Sequence, residues 1–186
     1  MLKLTDVQRI SLVVLRTAIG WHFFYEGYYK LIVPAWSHDG QLLADWSAAG
    51  YLRGATGPLA GLFHQMASPA SLIWIDRLLP VALLAIGLSL ILGIFTQLGG
   101  WGAVLCLTMF YLAAIPTAGV PQAGAEGTYL LVNKNVVELA ATLVVLASRT
   151  GQIAGLDLLV RRKRVASRVD GAEAGPRAQA VAESQA

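Results

Sequence analysis

The sequence predicts an all-α fold: an integral-membrane four-helix bundle with both termini cytoplasmic. Three observations predict it. Hydrophobic residues make up 56% of the chain and charged residues 13%, about half the charged share of a soluble domain, and the mean hydropathy is +0.59. No Asp, Glu, Lys or Arg occurs from Leu78 to Ala125. A bilayer core takes about 20 apolar residues per crossing, so that stretch fits two crossings and a tight turn. Basic residues gather at both ends: Lys3, Arg9 and Arg16 flank the start of the first apolar run, and seven more Lys/Arg follow Ser148. An even number of crossings puts both basic ends on one side, which the positive-inside rule makes the cytoplasm.

The 186 residues allow one domain, read as a membrane domain over 1–160 and a tail over 161–186. The first span is expected at about 10–33. It is too long for a signal peptide, carries bulky aromatics and lacks a small-x-small cleavage site. Pro34 opens a long connection in which Trp36, Trp46 and Tyr51 suit the headgroup level. Within it, a segment at about 57–67, with Pro58 in its first turn, reads as a short interfacial helix.

The second span is expected at about 73–95 and the third at 99–115, ended by Pro116. Only Thr96, Gln97 and Leu98 separate them, so they form an antiparallel hairpin. Ala85, Ser89 and Gly93 repeat every four residues, as do Gly99 and Ala103; such stripes let helices approach closely in lipid. A Gly/Pro loop from Gly119 to Gly127 leads into a fourth span at about 129–148. The run Arg161-Arg162-Lys163-Arg164 opens a tail rich in Ala, Glu, Gln and Arg, which is expected to be disordered. The pI near 9.2 belongs to these membrane-flanking clusters rather than to nucleic-acid binding.

The composition also excludes chemistry. One cysteine, Cys106, permits no internal disulfide, redox pair or thiolate cage, and it reads as packing. The three scattered histidines, His22, His38 and His64, make no metal site. Phosphate loop, dinucleotide fingerprint and nucleophile elbow are all missing. Redox work would therefore need a quinone or a partner, with nothing covalently bound.

Charge inside the spans is costly, about 2.5–3.5 kcal/mol each at mid-membrane, so its placement carries information. In the predicted topology His22, Glu26 and Lys30 lie in the middle and outer half of span one. They are spaced i, i+4, i+8 and share a helix face. Asp76 and Arg77 open span two from the outside. Asn133, Lys134, Asn135 and Glu138 lie in the outer half of span four. Three helices thus bring polar residues to one level, and the expectation is a periplasm-facing polar pocket. Trp21, Phe24, Tyr25 and Tyr28 would supply aromatic walls. Glu26–Lys30 and Lys134–Glu138 are the expected i, i+4 ion pairs, and Arg16 is expected to snorkel to the inner headgroups.

At these residues the chain resembles the DoxX/DoxD family of four-helix membrane proteins, over roughly residues 9–160. The resemblance rests on Arg16, Gly20, Phe24, Gly27, Lys30 and Leu31, on Gly87 and Leu92-Gly93-Ile94-Phe95-Thr96, on Asn133-Lys134-Asn135 with Glu138, and on Gly151, Gly155, Leu156 and Asp157. It implies a multi-pass protein of the inner (plasma) membrane doing redox work, since DoxD is the membrane subunit of thiosulfate:quinone oxidoreductase. This chain lacks the soluble periplasmic domain that accompanies DoxD, so it would be one subunit of a quinone-linked oxidoreductase. In that reading Lys30, Lys134, Arg77, Asn135, Trp21 and Tyr25 bind substrate or quinone, while His22, Glu26 and Glu138 move protons. The partners are the lipid bilayer and a redox subunit, with self-association left open. The competing reading is a non-catalytic scaffold for a redox partner, or a small-solute carrier.

The topology is testable directly. A reporter fused after Ala186 reads as cytoplasmic, and one inserted near Ser47 or Gly124 reads as periplasmic. Termini in opposite compartments would mean an odd number of crossings and contradict the architecture.

Overall fold

The computed structural model describes residues 4–31, 46–115 and 131–158, all helix and turn without a strand among them. Helix α1 spans Asp6–Leu31, α2 Ala49–Arg53, α3 Ala60–Met66, α4 Pro69–Leu92, α5 Thr96–Ala113 and α6 Lys134–Ala147. A 3-10 turn follows at Thr150–Gln152. The predicted spans at 10–33, 73–95, 99–115 and 129–148 thus correspond to α1, α4, α5 and α6, and the interfacial segment to α3. Helix α2 was not expected. The loop at 119–127 and the tail at 161–186 lie outside the described residues. Among the described residues two helices, α4 and α5, are long and apolar enough to cross a membrane. Helix α6, with 14 residues, is shorter than the 20 or so predicted for its span.

Local chemistry sets the ends of these helices. At the start of α1, Thr5 and Gln8 form a reciprocal capping box: the Gln8 amide donates to Thr5 Oγ1 at 3.3 Å and the Thr5 amide to Gln8 Oε1 at 2.8 Å. Pro69 occupies the first turn of α4, where its missing N–H costs nothing. Gly93, at φ 65°, ends α4 in the left-handed conformation that glycine adopts without strain. The Asn133 side chain accepts from the Val136 amide to start α6.

The long helices alternate in direction, and each packs on the next: α1 on α4, α4 on α5, α5 on α6, and α6 back on α1. The tightest approach joins α1 to α4. A Cβ added to Gly27 would lie 2.7 Å from the Leu84 amide nitrogen, and one on Gly87 2.6 Å from Phe24 Cα. These helices meet backbone to backbone, as small residues permit. The predicted Ala85–Ser89–Gly93 stripe is therefore not one interface. Ser89 packs against Gly99 of α5, Gly93 packs against Arg16 and Gly155, and Ala85 is exposed. Ile19, Phe23, Leu83, Leu90, Ala103, Leu107 and Val145 fill the core, with Cys106 packed against it.

One end of the bundle is held by a polar clasp. Arg16 is 3% exposed and donates from Nη1 to the Ala154 carbonyl at 2.6 Å. This corrects the expectation that Arg16 snorkels; the segment after α6 folds over its guanidinium and supplies the acceptor. Asp157 completes the clasp. Its carboxylate accepts from the Phe95 amide at 2.8 Å and the Thr96 amide at 3.0 Å, while its own amide donates to the Gly93 carbonyl at 2.9 Å. Phe95 stands at φ 50° and has no side-chain cap of its own, so Asp157 caps α5 from 62 residues away. Burial raises the Asp157 pKa, but the hydrogen bonds from Thr96 and Phe95 and the Arg16 charge outweigh it and hold the carboxyl below its ordinary range.

A carboxyl whose pKa is lower folded than unfolded stabilises above its ordinary range, about 4, and that stability disappears as pH falls through and below it. Asp157→Ala is expected to cost about 1–3 kcal/mol at neutral pH, the penalty for leaving the amide of the buried Thr96 without its acceptor. In detergent, the stability gap between wild type and variant should narrow as pH drops below about 4. A gap that stays constant or widens would show that Asp157 is not held as the carboxylate.

Candidate functional site

Opposite the clasp, the bundle encloses a cavity of about 310 Å³, within the usual range for small-molecule sites. Its floor is apolar: Phe23, Leu79, Leu83 and Leu107, from α1, α4 and α5. Its polar side is a line of α1 residues, His22, Glu26 and Lys30, facing Lys134 and Asn135 at the start of α6. Its roof is the segment from Trp46 to Tyr51.

The polar line is connected. His22 Nδ1 lies 2.7 and 2.8 Å from the two Glu138 carboxylate oxygens. Its other ring nitrogen, Nε2, lies 4.0 Å from Glu26 Oε1, and Glu26 Oε2 accepts from Lys30 Nζ. The imidazole thus stands between two carboxylates from different helices. In either protonation state it can donate a proton toward Glu138. The i, i+4 spacing predicts a Lys134–Glu138 pair, but the structure gives Glu138 to His22 across the bundle, and Lys134 lies exposed on the cavity wall. Glu138 is 14% exposed at its side chain against 44% for His22.

The roof is built by α2, and Asp76 holds it there. The Asp76 carboxylate accepts from the Ala48 amide at 2.7 Å, so this α4 residue anchors the entry to α2. Tyr51 donates its hydroxyl to the Phe110 carbonyl at 2.8 Å and meets the Phe110 ring edge-on at 6.1 Å. Burial pushes the Tyr51 phenol up to about 12, so it remains a donor at physiological pH. Lys30 Nζ sits 5.6 Å from the Trp46 ring centroid, within cation–π range. Behind the roof, His64 Nε2 lies 3.1 Å from the Ala55 carbonyl oxygen and closes the turn between α2 and α3.

The structure therefore gathers His22, Glu26, Lys30, Lys134 and Asn135 around one cavity and brings Glu138 in through His22. It places three other candidates elsewhere. Trp21 and Tyr25 stack on each other on the outer face of α1, 60% and 50% exposed, and Arg77 is exposed on α4 outside the cavity. The aromatic walls come from Phe23, Trp46, Tyr51 and Phe110 instead. Of these, Tyr51 and Trp46 were assigned to the headgroup level, and nothing in the local sequence ties them to Lys30 or Phe110. Among the described residues no group of three or more His, Cys, Asp or Glu is placed to hold a metal ion. No protein-family model, curated protein or solved structure matches the chain.

Proposed function

We propose that this chain is a DoxX-like, four-pass protein of the inner membrane, and that its cavity receives a quinone head group as part of a quinone-linked oxidoreductase, with sulfur-compound oxidation the reaction class that the resemblance favours. The observation that carries the reading is the connected line Lys30–Glu26–His22–Glu138 beside an otherwise apolar and aromatic cavity. The membrane part is supported by α4 and α5 and by large apolar side chains exposed along every long helix, such as Val14, Trp74, Leu105 and Val137. Water would penalise such a surface, and lipid does not.

The residues present fit a quinone ring. Phe23, Tyr51 and Phe110 offer flat apolar faces, and Lys30 and His22 offer donors at the polar edge. When bound, a quinone accepts two electrons and two protons and becomes the quinol. The electrons come from a partner subunit, and the chain's own groups supply binding and protons. Lys30 would hold a ring oxygen and offset negative charge there. His22, between Glu26 and Glu138, would pass protons to the bound ring, and either carboxyl group would return one to His22 after taking it up from water.

Lys30→Met keeps the stem and its packing while deleting the charge. In membranes that contain the partner subunit, the variant should insert normally yet lose substrate-dependent quinone reduction by about 100-fold. That loss corresponds to about 2.7 kcal/mol of transition-state stabilisation, the size expected for one preorganised charge contact. Full activity in a well-inserted Lys30→Met, Lys134→Met double variant would end the quinone reading, whereas loss of insertion would favour a structural scaffold.

A further inference from the structure

The backbone takes a disfavoured shape at two places, and both lie at the clasp end. Among the described residues the non-glycine residues with positive φ are Phe95, at 50°, and Arg149, at 45°. In this region a Cβ crowds the following carbonyl oxygen, so glycine is the usual occupant. Phe95 closes the turn between α4 and α5. Arg149 follows Ser148, the cap of α6, where helices most often end on glycine. The two turns are neighbours: Gly151 packs against Thr96, and Gln97 donates to the Leu146 carbonyl at 3.2 Å.

Packing inside the fold explains neither side chain. Phe95 is 68% exposed and belongs to neither buried cluster. Arg149 is exposed, and among the described residues its guanidinium has no ion pair or hydrogen bond. Asp157 holds Phe95 through the backbone amide, which glycine also has. Glycine would therefore relieve the strain and keep the clasp. What the strained turns secure is a large apolar ring and a cation, both exposed at one end of the bundle.

In the membrane reading that end lies at a bilayer surface. Helices α4 and α5 are long and apolar enough to cross, so the turn joining them emerges at the headgroups. Leu98, 74% exposed, continues the apolar surface one helical turn into α5. An aromatic ring suits the hydrocarbon edge, and a guanidinium pairs with phosphate through two parallel hydrogen bonds. We infer that Phe95 and Arg149 are a lipid anchor: the ring sinks beside Leu98 into the edge of the hydrocarbon, and the guanidinium takes the phosphate of an anionic headgroup. The inference rests on the membrane reading and is independent of the quinone.

The test follows thermal unfolding of the full chain by tryptophan fluorescence, in neutral detergent and in two kinds of vesicle. One kind is phosphatidylcholine alone; the other holds phosphatidylcholine and phosphatidylglycerol in equal parts. In detergent the double variant Phe95→Gly, Arg149→Gly should melt at or above wild type, by up to about 4 °C as strain is relieved. Going from neutral to anionic vesicles should raise the wild-type midpoint by at least about 2 °C more than that of the double variant. Inorganic phosphate added in detergent should not reproduce that gain. A smaller difference between the vesicles, or a gain that phosphate alone reproduces, would overturn the anchor. A double variant that melts below wild type in detergent would overturn it too, because the side chains would then be packing within the fold. Wild type that enters neither vesicle would overturn the membrane reading, and the anchor with it.

Discussion

The backbone contact between α1 and α4 fixes how α1 is rotated, and most of what is distinctive at the cavity follows from that rotation. Gly20 and Gly27 lie seven residues apart, two helical turns, so both point at α4, where Gly87 and the Leu84 backbone receive them. Any side chain at these positions would push the helices apart. With that edge committed to α4, a period of 3.6 residues leaves Ile19 and Phe23 for the core and turns His22, Glu26 and Lys30 toward α6. Trp21 and Tyr25 are left for the outside. The polar line is thus placed by glycines that carry no chemistry themselves.

The two ends of the bundle treat charge differently. At the clasp, Arg16 and Asp157 meet backbone partners: a carbonyl accepts from one guanidinium nitrogen, and the amides of Phe95 and Thr96 donate to the carboxylate. Arg16 Nε, Thr96 Oγ1 and Thr150 Oγ1 stay buried there without a hydrogen-bond partner among the described residues. At the cavity the charged groups are paired mainly with each other through side chains, which can re-pair or pass protons, and part of their surface stays open. A buried group satisfied by fixed backbone holds a fold in register; one satisfied by a mobile partner beside a cavity is available for chemistry.

The sequence made much of this legible because apolar runs and their breakers are local signals. The approximate positions of α1, α3, α4 and α5 follow from Pro58, Pro116 and the charge-free stretch, and the shared face of His22, Glu26 and Lys30 follows from spacing, but the turn expected at Thr96–Leu98 falls three residues earlier, at Gly93–Phe95. What periodicity does not contain is the angle at which a face meets the next helix. Hence Trp21 and Tyr25, close to His22 in sequence, lie on the wrong side, and Glu138 bonds His22 rather than the neighbour four residues before it. Asp157 and Asp76 act over dozens of residues on backbone amides, and no local pattern marks a side chain that caps a distant helix. Arg16 was misread for the same reason: its acceptor, the Ala154 carbonyl, is 138 residues away.

The claim on which the rest stands is the rotation of α1 relative to α6, and a short bis-maleimide tests it most directly. In a Cys106→Ala background, which removes the one native thiol, the pair His22→Cys, Glu138→Cys should cross-link within the chain and shift its mobility on a gel. The pair Trp21→Cys, Glu138→Cys should not, because residue 21 points away from α6. Cross-linking at Trp21→Cys with none at His22→Cys would mean that α1 is turned by a quarter of a revolution or more. In that case the polar line would not reach Glu138, and the cavity would not be assembled as described.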